Sequence, residues 1–236
     1  MLILALESSG ETASAALVTE GKVLAEINCA FGPMRANYAK AVRKTHSETL
    51  MPMVEFIFKT SGVFLPEIDY IALSAGPGSF TGLRIGAAAA KALCHGADKP
   101  LIPVPTLDAL AINVSGYPVV APVMDARRGQ VYACVYERTN GRLTKLTPYM
   151  AEDLEVILQT AAGYGKDVCF LGDAASVFYD KITAYKNFYI APEHLRLQRA
   201  ASVGLLALNL TETAVGYEAN PLLYLRKPQA ERAAYE

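Results

Sequence analysis

Tryptophan is absent from this chain of 236 residues, histidine occurs three times and cysteine four times, and each scarcity closes off a kind of chemistry. A helical metal pair needs His at i and i+4. Position 50 after His46 is Leu, position 42 before it is Val, and His95 and His194 stand alone. Cys29, Cys94, Cys134 and Cys169 are scattered without C-x-x-C spacing, so neither a zinc site nor a redox dithiol is spelled out. Free thiols in a reducing compartment are the expectation. Also missing are a G-x-S-x-G elbow and a P-loop with its lysine. There is no basic excess either: 22 Lys and Arg face 23 Asp and Glu, for a net charge of −1. A protein that grips nucleic acid unaided shows such an excess. The one basic cluster, Arg35, Lys40, Arg43 and Lys44, reads as a solvated helix face. Any nucleic-acid contact is therefore expected to come through a partner. No run approaches the roughly 18 apolar residues of a membrane span, and Met1 to Leu6 meets Glu7 too early for a signal peptide. A cytoplasmic protein without membrane contact follows as the expectation.

What is present is concentrated between Ser74 and Lys91. Ile71-Ala72-Leu73 reads as a buried strand, Gly76-Pro77-Gly78 forces a turn, and Ser79 or Thr81 can cap a helix running through the alanines. A glycine-rich turn feeding a helix N-terminus can hold an anion. The small side of that helix, with Gly82, Gly86 and Ala87 to Ala90, equally suits the close approach of another helix. Both readings stay open on the residues alone. Phe80, Leu83, Arg84, Ala87, Ala88 and Lys91 recur there at helical spacing.

One unit occurs twice. Leu2 to Glu7, Ala13 to Val18 and Val23 to Glu26 make an apolar strand ending on an acid, a turn, and two further strands around Glu20-Gly21. Val119 to Asp125, Val131 to Tyr136 and Leu143 to Leu146 repeat the pattern around Asn140-Gly141. A helical stripe follows the first copy at 38, 41, 42, 50, 53, 54, 57 and 58, with Ser47 as its candidate cap. Strands at Tyr70 to Leu73, Leu101 to Val104 and Val168 to Leu171, and helices over Ala151 to Ala162 and Ala200 to Val215, complete the pattern. The division expected is a first lobe over 1–104, completed by the helix near 200–216, a second lobe over 105–199, and a tail over 217–236.

Two acid-tipped meanders could build a two-lobed nucleotide site. Glu7, Ser8 and Ser9 from one turn and Asp125, Arg127, Arg128 and Gly129 from the other are its candidate anion and cofactor contacts, with ATP or ADP as ligand. The plainer alternatives are acids that satisfy their own turn backbones and an internal ion pair between Asp125 and its arginines. An ATP-dependent phosphotransferase is the function that the cleft would serve, and a metallopeptidase is disfavoured by the histidine count.

Ile3 to Ser9, His46 to Pro52, Gly76 to Gly86, Asp125 to Tyr132, Gly172-Asp173-Ala174 and Tyr224-Leu225-Arg226 together resemble the TsaB family, also called YeaZ. The match runs in family order along almost the whole chain. It departs at Glu7, where the family more often has Asp, and in the longer segment from Phe31 to Thr45. The resemblance implies an α/β fold of the actin-like ATPase class shared with sugar kinases and heat-shock ATPases. Each of its two lobes holds a ribonuclease-H-like mixed sheet flanked by helices. It also implies a non-catalytic relative of TsaD, of the glycoprotease or peptidase M22 group, acting in bacterial tRNA threonylcarbamoyladenosine synthesis at adenosine 37. The implied partners are a TsaD homologue, a TsaE-type ATPase and a second copy of the chain, with tRNA met only through the complex. Nucleotide would sit in the cleft or at a subunit junction, and no metal or catalytic residue is implied. The docking face implied lies on the first-lobe helices, at His46, Glu48 and Leu50 on one and Phe80, Thr81, Leu83, Arg84, Ala87, Ala88 and Lys91 on the other.

Overall fold

The computed structural model describes residues 1–30 and 45–226. The stripe positions Tyr38, Ala41 and Val42, the basic cluster at Arg35, Lys40, Arg43 and Lys44, and positions 227–236 of the expected tail lie outside the described residues. The chain divides into two compact units, the first being Met1–Ala109 with Gln198–Leu222. The second is Leu110–Leu197, joined by the chain from Leu223 onward.

In the first unit, β1 (Leu2–Glu7) is apolar on both faces, as a central strand must be. Its partners are β2 (Thr12–Thr19) on one side and β4 (Tyr70–Gly76) on the other. With β3 (Lys22–Ala30) and β5 (Leu101–Pro105) at the edges, the order is β3-β2-β1-β4-β5. The first three strands pair antiparallel and the last three parallel. Side chains alternate across the sheet. Leu4 and Leu6 therefore enter one core, under α1 (His46–Ser61) and α2 (Phe80–Ala97). Ile3 and Ala5 enter the other, under α8 (Ala200–Ala207), with α3 (Thr106–Ala111) following β5. Helix α8 lies so close to the sheet that a Cβ at Gly204 would come within 2.6 Å of Val18 Cγ2.

The second unit repeats this order. Its central strand β6 (Val119–Arg127) pairs antiparallel with β7 (Gln130–Ala133) and parallel with β11 (Val168–Leu171). Outside these run β10 (Met150–Asp153) and β12 (Phe188–Ile190), giving β10-β7-β6-β11-β12. Helix α4 (Leu154–Ala162) and the short helices α5 (Asp173–Val177) and α6 (Tyr179–Thr183) bury Leu154, Ile157, Ala174 and Ile182 against Val123 and Phe170. A single-turn helix, α7 (Glu193–Arg196), leads back to the first unit. Two sheets with one strand order are the duplication expected from the acid-tipped runs.

Three expectations are corrected. Leu143 to Leu146 does not supply the third strand of the second meander. Asn140 and Gly141 both turn with positive φ, 51° and 78°, so β8 (Tyr136–Thr139) and β9 (Arg142–Lys145) close on each other as a tight hairpin. The third place passes to β10, which takes the first residues of the helix expected from Ala151. The cap of α1 is Thr45 rather than Ser47, because Glu48 reaches back to accept from Thr45 N–H and Oγ1–H at 2.8 Å each. The helix expected to reach Val215 ends at Ala207, since Val215 exchanges backbone bonds with Leu101 at the edge of β5.

Candidate functional site

The site grows from the turn between β4 and α2. Gly76 sits at φ 114°, a conformation that favours glycine, and donates its N–H to Thr106 Oγ1 at 3.1 Å. Ser79 caps α2, its Oγ accepting from Gly82 N–H at 3.3 Å. Gly78 just before the helix, and Gly82 and Gly86 on one side of it, lie directly on the β1–β2 turn. Added Cβ atoms there would come within 2.3 Å of Ser9 O, 2.1 Å of Ser8 O and 2.2 Å of Ser8 Oγ. Ser79 N–H donates to Ser9 O at 2.6 Å, and Ser8 Oγ–H donates to Gly82 O at 2.9 Å. The first turn of α2 thus already holds a partner, which is the chain's own backbone.

Behind this seam, Glu7 is 1% exposed. Its Oε1 accepts from Ser9 N–H and Ser9 Oγ–H at 2.5 Å each. Burial pushes its carboxyl from 4.5 up to about 7, although the bonds from Ser9 pull the other way. Glu7, Ser8 and Ser9 were candidates for phosphate contact. In the structure all three are buried, with Ser8 Oγ–H donating to Gly82 O, Ser9 N–H and Oγ–H to Glu7, and Ser9 O accepting from Ser79 N–H.

The other face of α2 carries Thr81, Arg84, Ala88, Ala92 and His95, all exposed and spaced as one helical stripe. The Arg84 guanidinium lies over the Phe80 ring at 4.0 Å. Phe80 and Lys91 border this stripe, half-buried. Helix α1 packs beside α2 and turns Glu48, Met51, Glu55 and Phe56 outward. Met51 is 42% exposed and Phe56 57%. His46 is half-buried, and that burial lowers its pKa against the opposing effect of its bonds to the Thr12 and Gly10 backbone. Leu50, Leu83 and Ala87 were expected on the docking face and are instead buried, Leu50 and Ala87 within the unit's own core. Met51, Phe56, Ala92 and His95 were not anticipated. Their signal was being apolar or small while out of phase with the buried stripe.

In the second unit, Asp125 stands two residues before the end of β6, and Arg127, Arg128 and Gly129 turn the chain with φ of 69°, 59° and 78°. Asp125 Oδ1 accepts from Arg127 N–H at 2.8 Å, and its Oδ2 lies 3.5 Å from Arg127 Nη1, so the internal ion pair forms. Arg226 donates to Ala126 O at 2.8 Å and also to Gln130 Oε1, tying the end of the described chain to this turn. Arg127 and Arg128 point outward on an exposed turn. Among the described residues, no group of three or more His, Cys, Asp and Glu side chains could hold a metal ion, and no helix is long and apolar enough to cross a membrane.

Compared with known proteins, residues 39–234 match the family model TsaD, tRNA N6-adenosine threonylcarbamoyltransferase. The tRNA threonylcarbamoyladenosine biosynthesis protein TsaB of Bacillus subtilis is 34% identical over 178 residues, 75% of this chain and 73% of the relative. TsaB of Escherichia coli is 35% identical over 162 residues, 67% of this chain and 63% of the relative. Among solved structures, a Pseudomonas aeruginosa protein described as similar to peptidase YeaZ superposes with a TM-score of 0.74 at 25% identity, covering 95% of this chain and 99% of that one.

Proposed function

We propose, from the premise that this chain belongs to the TsaB (YeaZ) family, that it is a non-catalytic subunit in tRNA threonylcarbamoyladenosine formation and docks on a TsaD-type transferase. One observation carries the docking assignment. The outward faces of α1 and α2 form a surface flat at Ala88 and Ala92, apolar at Met51 and Phe56, and charged at Arg84. Two helices of a homologous partner laid across α1 and α2 would make a four-helix contact of ordinary bundle geometry. Small residues at its centre let the backbones approach, and the two exposed apolar side chains supply area to bury.

In this reading the same face serves a homodimer when the partner is absent, so the two assemblies compete. A TsaE-type ATPase joins the heterodimer afterwards, tRNA is met only by the assembled complex, and the work is done in the cytoplasm. The phosphotransferase alternative needs the Glu7–Ser9 turn open to a phosphate, and α2 fills that turn. No step of the proposal passes through a nucleotide held there.

The test is reconstitution. A TsaD-type subunit, a TsaE-type subunit and a source of threonylcarbamoyl-adenylate are mixed with tRNA, with and without this chain. Modification that requires the chain, together with none from the chain and tRNA alone, is expected. Full modification in its absence contradicts the proposal.

A further inference from the structure

The Ser8–Ser9 turn and the start of α2 are joined by close, buried contacts. Ser8 Oγ–H donates to Gly82 O at 2.9 Å and Ser9 O accepts from Ser79 N–H at 2.6 Å. Glu7 holds Ser9 from below through both its N–H and its hydroxyl. Above them, Gly78, Gly82 and Gly86 have no room for a single methyl group. A buried carboxylic group, a serine pair and the first two turns of α2 therefore form one connected stack.

We infer that Ser8 and Ser9 are positioning residues for partner docking: they set the height and rotation of α2, and so where Arg84 and Ala88 meet the catalytic homologue. The inference rests on the reading of α2 as the docking helix. A helix shifted by a fraction of an ångström remains folded but presents its small face out of register, and interdigitated helix contacts are sensitive to that. The turn at this place is a seat for a helix and not a cradle for a phosphate.

The two glycines nearest Ser8 separate the inference from general destabilisation. A methyl at Gly86 meets the Ser8 hydroxyl at 2.2 Å, whereas the Ser8 Cβ is 3.5 Å away and Leu73 Cδ1 3.0 Å. Deleting that hydroxyl removes the worst collision. A methyl at Gly82 meets the Ser8 backbone oxygen at 2.1 Å, which no substitution of Ser8 relieves. Affinity for a purified TsaD-type subunit is measured by calorimetry for Gly86→Ala, Ser8→Ala, their double variant, and Gly82→Ala alone and with Ser8→Ala. Thermal unfolding of each variant is recorded alongside. Ser8→Ala, which removes the bond to Gly82 O, is expected to weaken binding about threefold and Gly86→Ala about tenfold or more, while the double variant returns to the Ser8→Ala level, the size of coupling seen between touching residues. Loss with Gly82→Ala should persist with Ser8→Ala present. If Gly82→Ala does not fold, Gly86→Ala and its rescue still decide. Unchanged affinity in Gly86→Ala, or weakening that Ser8→Ala leaves untouched, overturns the inference while Ala88→Arg still abolishes binding. Should Ala88→Arg also bind normally, α2 is not the docking helix and the underlying reading falls with it.

Discussion

Replacing Glu7 by Gln gives the most quantitative prediction, because the carboxyl is buried and its protonation is coupled to folding. Its pKa stands at about 7 in the fold against 4.5 for an exposed carboxyl. Between those values the folded chain holds a proton that the unfolded chain has released. Raising the pH across the window therefore favours unfolding. The contribution is fully present below about 4.5 and is lost as pH rises through about 7. Each pH unit corresponds to about 1.4 kcal/mol, so the loss totals about 3 kcal/mol. Glu7→Gln keeps the shape and an oxygen to accept from Ser9, but cannot ionise. Urea unfolding of both proteins from about pH 4 to about pH 8 should show the variant gaining about 3 kcal/mol relative to the parent. Curves parallel within about 0.5 kcal/mol would mean that Glu7 is hydrated or charged in the fold, and the sealed seam described here would be wrong.

Three further outcomes are expected. Glu48→Ala removes the carboxylate that closes the Thr45 cap and should cost about 1 kcal/mol in urea unfolding, with partner affinity lowered because Glu48 also faces outward. Phe170→Ala empties the centre of the second unit's core, where the Phe170 and Phe188 ring centroids lie 4.9 Å apart. It should cost about 3–5 kcal/mol by the same assay. Phe56→Asp takes an exposed apolar ring from the docking face, so stability should stay within about 0.5 kcal/mol while affinity for the TsaD-type subunit, read by calorimetry, falls about tenfold or more.

Much of the architecture was legible because central strands announce themselves. Leu2 to Glu7 and Val119 to Asp125 are apolar on both faces and stop at an acid, so the two meanders can be matched from the sequence. The Ser79 cap was readable too, as a cap-competent residue between a glycine turn and an alanine run. The α1 cap misled because Ser47 and Thr45 are both competent; only the Thr45-x-x-Glu48 spacing separates them. The inserted hairpin over 136–145 was hidden because pairing partners are long-range, and Val131 to Tyr136 reads as one strand although it breaks at Cys134-Val135.

The candidate site was harder to read for a physical reason. On a helix made of Gly and Ala, hydrophobic periodicity is weak, so Leu83 and Ala87 looked as presentable as Arg84 and Ala88. Burial of the first pair and exposure of the second comes from the sheet beneath, which the helix sequence does not encode by itself. The glycines were ambiguous in the same way. A phosphate and a backbone oxygen both demand a missing side chain, and only the contact with Ser8 and Ser9 says which is there.

The docking assignment is tested most directly by titrating a TsaD-type subunit with this chain and with Ala88→Arg, both confirmed folded by circular dichroism. An unpartnered guanidinium at the centre of a packed helix contact should weaken binding by at least about a hundredfold, about 2.7 kcal/mol, with no loss of stability in the isolated chain. Equal affinity of the two proteins would contradict the account.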